Sequence, residues 1–247
     1  MTQNLSGRFK QFYTEESKRY HASRYGTRYG DLFHRLHLHV IEELLDRLPR
    51  QSRILEVACG TGHVTSLLAG KGFPFVACDL TPAMMVQSRQ RCNGKGAFVE
   101  ADAFRLPFPD SVFEGVLSTR FLHLFPHPEQ QRLLTEMLRV LKKDGLLIVD
   151  FDNAFSRWFL SVAYAAYNII RYRRLAPYAI YNSIRPTEKM FRELGLSEVK
   201  SIGIGGTHLI LPAWFSGRLA FALGLSHRSG PLRLFAEQFV VTGTKKL

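Results

Sequence analysis

Cysteine is scarce in this 247-residue chain: Cys59, Cys78 and Cys92 are the only three. Their odd number and irregular spacing exclude a disulfide framework and a cysteine metal site, and they fit a reducing compartment. No His, Asp or Glu cluster has metal-ligand spacing either, so no metal is expected. Long apolar runs are absent too. The nearest approach to the roughly 18 apolar residues of a membrane span is Trp158–Ile170, which is shorter and interrupted by Ser161 and Asn168. The opening Met-Thr-Gln-Asn-Leu-Ser-Gly-Arg lacks the apolar stretch of a signal peptide, so a cytoplasmic protein is expected. Neither internal repeats nor low-complexity tracts occur.

Acidic residues are also in short supply, 21 against 33 Lys and Arg, giving a net charge of +12. The deficit is uneven. Residues 1–153 hold 20 basic and 17 acidic side chains, and residues 154–247 hold 13 and 4. A basic half attracts nucleic acid, an anionic membrane surface or an acidic substrate, and equally serves as a solubilising surface. With 46% hydrophobic and 22% charged residues the chain has ample material for a core and no bias toward disorder.

The apolar positions Leu32, Leu36, Val40, Ile41, Leu44, Leu45 and Leu48 recur at helical spacing over 31–48, and Pro49 stops that helix. Short apolar runs then alternate with helical stretches. Strands are expected at 53–58, 74–79, 97–102, 113–119 and 146–151. Helices are expected at 61–71, from Pro82, and at 128–141. Such alternation predicts a parallel sheet with helices on both faces, a doubly wound α/β domain. Beyond Asp152 the rhythm breaks. A short helix at 186–195 and strands at 198–204 and 238–244 are interleaved with two aromatic, basic insertions, 154–185 and 206–235. The expected organisation is one domain over 1–247: an N-terminal helical lid (1–50), a core (51–153) and two caps.

The residues with chemistry gather where the predicted strands end, which is where open parallel sheets bind ligands. Glu56-Val57-Ala58-Cys59-Gly60-Thr61-Gly62 closes the first strand, Asp79 the second and Asp102 the third. Gly60 and Gly62 let a ligand approach the backbone, and the helix that follows offers free N–H groups. Asp79 is placed to accept hydrogen bonds from ribose hydroxyls, and Asp102-Ala103 to meet an adenine edge. A dinucleotide fold also uses a glycine turn and an acid after the second strand, but its fingerprint needs a third glycine. Here the turn continues Gly62-His63-Val64-Thr65.

The segments ILEVACGTGHVT (54–65), FVACDLTPAMM (75–85), VEADAFRLPFPDSVFEGVLSTRFLHLF (99–125) and LLTEMLRVLKKDGLLIVDF (133–151) resemble the class I methyltransferases. The resemblance is to the branch of ubiquinone/menaquinone biosynthesis and related small-molecule enzymes, in order and spacing. It implies a Rossmann-like, mostly parallel seven-stranded sheet with an antiparallel last strand, and S-adenosyl-L-methionine as cofactor. It also implies that Glu56 and Gly60, Thr61 and Gly62 line the methionine part and that Asp79 holds the ribose. Leu80 and Met84 would then lie near the adenine, Asp102 and Ala103 at its amino edge, and Thr119 at the methionine end. Ala58, where many members have glycine, departs from the pattern and restricts the turn. Tyr20, with Arg24, Tyr25 and Tyr29, is expected either in a lid over the cofactor or on an amphipathic edge helix.

Methyl transfer needs alignment of the acceptor, and a base if the acceptor atom carries a proton. His123, after the fourth strand, is the candidate base, set against a local packing role. His127, between two prolines, is the weaker candidate. Asp150 and Asp152 read as a polar strand terminus. The aromatics of the insertions (Trp158, Tyr164, Trp214 and Phe221 among them) favour a small apolar or aromatic acceptor, quinone-, lipid- or polyketide-like, or else build the insertions' own core. Arg171, Arg173 and Arg174 suit an anionic substrate group or peripheral membrane contact. Two other readings remain. An RNA methyltransferase would fit the basic charge, but Ser118-Thr119-Arg120-Phe121 replaces the Asn/Asp-Pro-Pro-aromatic loop of exocyclic-amine enzymes. The third reading is a cofactor-binding protein without methyl transfer.

Overall fold

The computed structural model describes residues 13–15, 28–156, 180–205 and 231–246. Helix α1 (Arg28–Leu45) carries the expected apolar stripe. Its seven buried apolar side chains, from Leu32 to Leu45, each contribute roughly 1.5–3 kcal/mol by leaving water. Then follow β1 (Ile54–Val57), α2 (His63–Lys71), β2 (Phe75–Asp79), α3 (Pro82–Arg91), β3 (Ala97–Glu100) and β4 (Phe113–Ser118). The last described elements are α4 (His127–Val140), β5 (Leu141–Asp152), α5 (Ile184–Glu193), β6 (Leu196–Ile204) and β7 (Gln238–Lys245). Pro82 occupies the start of α3, where its missing N–H costs nothing.

The strands form one seven-stranded sheet in the order β3-β2-β1-β4-β5-β7-β6. The first five run parallel and β7 runs antiparallel between β5 and β6. This is the expected Rossmann-like sheet with an antiparallel last strand. The order reverses between β1 and β4, so a crevice opens there at the carboxyl ends. Strand alternation sends Leu55, Val57, Leu147 and Val149 into one core, packed with α4 and α5. It sends Ile54, Leu117, Leu146 and Ile148 into another, packed with α1 and α2. Glu56, Asp79 and Asp150 follow the second register and project toward the α1 face.

One boundary differs from expectation. The strand expected to begin at residue 146 starts at Leu141, and Lys143-Asp144-Gly145 form an irregularity inside β5. The register shifts between Phe113 and Gly115, and Asp144 takes φ 61. Pairing of Leu141 with Phe113 outweighs the local turn preference.

Both insertions lie mostly outside the described residues, but their anchored ends converge. The Asn153 side-chain amide donates to the carbonyls of Leu234 and Ala236, both at 2.8 Å. Asn182 donates its N–H to the Asp152 carbonyl and accepts from Ala154. Asn182 also exchanges side-chain hydrogen bonds with buried Gln130. Both segments therefore leave and rejoin the sheet beside the carboxyl end of β5.

Candidate active site

A cavity of about 120 Å³ sits over the carboxyl ends of β1, β2 and β4. Glu56, Ala58, Gly60, Thr61, Asp79, Leu80, Met84, Asp102, Ala103 and Thr119 all line it. These residues come from four separate stretches of sequence, and the sheet brings them to one rim. Tyr20 lies outside the described residues, as do Arg24 and Tyr25. Tyr13 supplies an N-terminal aromatic to the wall.

Gly62 stands apart from the residues that line the cavity; it precedes α2 with φ 84, and a Cβ there would collide with Ser88. Its glycine character serves the close packing of α2 on α3. Gly60, by contrast, takes φ 53 with open space where a Cβ would stand. Ala58 adopts φ 59, a left-handed conformation that a Cβ disfavours by roughly 1–2 kcal/mol. Ala58→Gly is expected to raise stability by about 0.5–1 kcal/mol after the extra unfolded-state entropy of glycine is offset. Thermal or urea unfolding of the two proteins measures it.

Asp79 organises the turn as well as facing the cavity. One carboxylate oxygen accepts the Gly60 N–H at 2.8 Å and the other accepts the Thr81 N–H at 2.8 Å. Burial raises its pKa, opposed by those backbone hydrogen bonds. Glu56 is 2% exposed, and its Oε2 has no hydrogen-bond partner. Desolvation, aided by the nearby charge of Asp79 and opposed by Thr65, pushes its pKa up to about 8. A buried acid with an idle oxygen on a cavity wall is matched by a cationic or hydrogen-bond-donating ligand group. Asp102 Oδ1 is engaged by the Phe104 N–H at 2.9 Å. Burial pushes the Cys59 and Cys78 thiols up, so they stay protonated packing groups.

His123 does not line the cavity. It sits in a short 3-10 turn, Leu122–Leu124, whose neighbours Phe121 and Leu124 form the wall instead. Its carbonyl accepts the Ile180 N–H at 2.8 Å. His127 begins α4 and lies near the Asn182 and Gln130 side chains. The histidines that do line the cavity are His34, His37 and His63. The sequence reading passed over all three. His34 and His63 meet edge to face with centroids 4.4 Å apart, and His37 contacts Asp150 at 2.8 Å. The signal was available for His37, a polar residue inside the apolar stripe of α1, but its partner is 113 positions away. One stretch of the wall is apolar. Phe125 packs against Phe104 and Phe121 with centroids 5.3 and 5.0 Å apart, beside Leu38 and Leu124.

Residues 55–149 match the methyltransferase domain family. The matched stretch is the strand–helix core that builds the cavity. Over 126 residues it is 37% identical to the ubiquinone/menaquinone biosynthesis C-methyltransferases UbiE of Pseudomonas paraeruginosa and Stutzerimonas stutzeri. Each match covers 47% of this chain and 48% of the relative, so the chain spans about half the length of these relatives. Among solved structures, the fold resembles the magnesium protoporphyrin IX methyltransferase of Synechocystis with bound SAH. That similarity has a TM-score of 0.69 and 13% identity over the whole of both chains. It also resembles a possible histamine N-methyltransferase from Thermotoga maritima. There the TM-score is 0.62 and the identity 22%, over 96% of this chain and 98% of that one. The chain thus has the Rossmann-like fold expected from its sequence. Among the described residues, no helix is long and apolar enough to cross a membrane, and no cluster could hold a metal.

Proposed function

We propose that the chain transfers the methyl group of S-adenosylmethionine to a small, largely apolar acceptor. The observation that carries the donor half is Glu56: a buried carboxyl with one unpartnered oxygen, on the wall of a cavity that Asp79 and Asp102 also line. The residues fit this cofactor. Glu56 receives its cationic amino-acid end, Asp79 its ribose hydroxyls and Asp102 with Ala103 its adenine edge. Leu80 and Met84 pack on the adenine. Gly60 leaves space for close passage, and Thr61 and Thr119 border the methionine end. When bound, the cofactor supplies an activated methyl on a good leaving group. The protein's task is then to align the acceptor, exclude water and manage one proton.

The acceptor half rests on Phe104, Phe121, Leu124, Phe125 and Leu38, which give the wall an apolar stretch. The similarity to enzymes named for quinone biosynthesis agrees with an apolar, ring-bearing acceptor. Calorimetric titration with S-adenosylmethionine is expected to give saturable one-to-one binding. Mass spectrometry of an organic extract of the purified protein is expected to find the cofactor or its demethylated product. A protein that is empty and binds neither compound would overturn the reading.

A further inference from the structure

His37 occupies an unusual place. It lies on the apolar stripe of α1 between Phe33, Leu36, Val40 and Ile41, where packing alone would be served by leucine. It is 3% exposed yet borders the cavity. Its Nε2 stands 2.8 Å from Oδ2 of Asp150, which is itself 1% exposed on β5. A buried pair of this kind is costly next to an apolar pair of the same size. Sites that break a local rule in this way tend to be functional.

A second observation concerns the same carboxylate. Asp150 Oδ1 accepts the backbone N–H of Arg120 at 2.7 Å, and Arg120 holds a left-handed φ of 54 at the turn after β4. Asp150 therefore fixes α1 and the strained β4 turn together. Thr119, Arg120 and Phe121 of that turn also line the cavity. A carboxylate only accepts, so the neutral form of the ring that suits this contact has its proton on Nε2 and its lone pair on Nδ1. Among the described residues Nδ1 has no hydrogen-bond partner.

Resting on the methyl-transfer reading above, we propose that His37, oriented by Asp150, is the general base for an acceptor with an acidic O–H, a phenol or enol. The acceptor's proton passes to His37 Nδ1 as its oxygen bonds to the methyl carbon. The methyl–sulfur bond breaks, and its electron pair stays on sulfur, which loses its positive charge. Asp150 stabilises the resulting imidazolium, and the proton then leaves to water. The base therefore stands on α1, joined through Asp150 to the turn after β4.

4-Nitrophenol, whose absorbance reports ionisation, tests this in protein saturated with S-adenosylhomocysteine. Calorimetry first establishes that wild type, His37→Gln and Asp150→Asn bind S-adenosylhomocysteine equally. Failure of wild type to bind it would remove the methyl-transfer reading, and the base with it. At a pH where the free phenol is neutral, the wild type is expected to show the phenolate band on adding the probe. His37→Gln is expected to abolish that band and Asp150→Asn to weaken it. In single turnovers with S-adenosylmethionine and the same phenol, His37→Gln is expected to slow methylation by about a hundredfold or more. A wild-type protein without the band, or a band that persists in His37→Gln, overturns the proposal. Should His37→Gln fail to fold, Asp150→Asn carries the same two readouts.

Discussion

Asp79→Ala is expected to weaken S-adenosylmethionine binding by about a hundredfold or more and to lower stability at the same time. The carboxylate accepts two loop N–H groups, from Gly60 and Thr81, with both oxygens at the cavity rim. Under the proposed function it also accepts from the ribose. A hydrogen bond to a charged group contributes about 1.5–3 kcal/mol, and each 1.4 kcal/mol is tenfold in affinity. Removing the side chain leaves two half-buried loop donors without this partner and releases the turn that shapes the site. Asp79→Asn separates the two effects, because its amide oxygen still accepts from one donor. It is expected to retain more stability than Asp79→Ala while losing most of the affinity. Calorimetry and thermal unfolding of both variants measure the split. Unchanged affinity in Asp79→Ala would remove the ribose assignment.

Glu56 predicts a pH dependence of comparable size. With its pKa near 8 the unliganded side chain is mostly neutral at pH 7. A cationic ligand group beside Oε2 favours the carboxylate, so binding expels a proton. Affinity should therefore rise with pH, by up to about tenfold per unit below pH 8, and level off above it. Titrations in buffers of different ionisation enthalpy should show up to about one proton released near pH 7. Glu56→Gln should bind more weakly and lose this dependence; a slope that survives in it would place the linked proton elsewhere. Stability of the empty protein moves the opposite way. The folded pKa lies above the ordinary value of 4.5, so the folded state holds the extra proton between the two values. The contribution of Glu56 is full below about 4.5 and is lost as pH rises toward 8. Burial raises Asp79 in the same direction.

The fold was largely legible because its elements are written in short-range patterns. The apolar runs at β1, β2 and β4, the helical stripe of α1 and the proline opening α3 each act within a few residues. The strand ends drew attention to Glu56, Asp79 and Asp102 before any contact was known, and all three line the cavity. Less was legible where the same residue type serves two ends. Gly60 and Gly62 look alike in sequence, but one faces open space and the other packs against Ser88. Ala58 was visible as a departure, whereas its left-handed φ became visible only with the turn built.

His123 and His37 mark the division most sharply. By itself the sequence determined the alternation of strand and helix, the glycine turn after β1 and the acids at successive strand ends. These follow from local periodicity and from the conformations each residue tolerates. Tertiary structure alone decided which histidine meets the cavity. The 3-10 turn seats Phe121 and Leu124 on the wall in place of His123. The packing of α1 on the sheet then brings His37 to Asp150 across 113 residues. That pairing depends on the angle at which a helix lies on a strand, and such an angle is set by the whole core on that face.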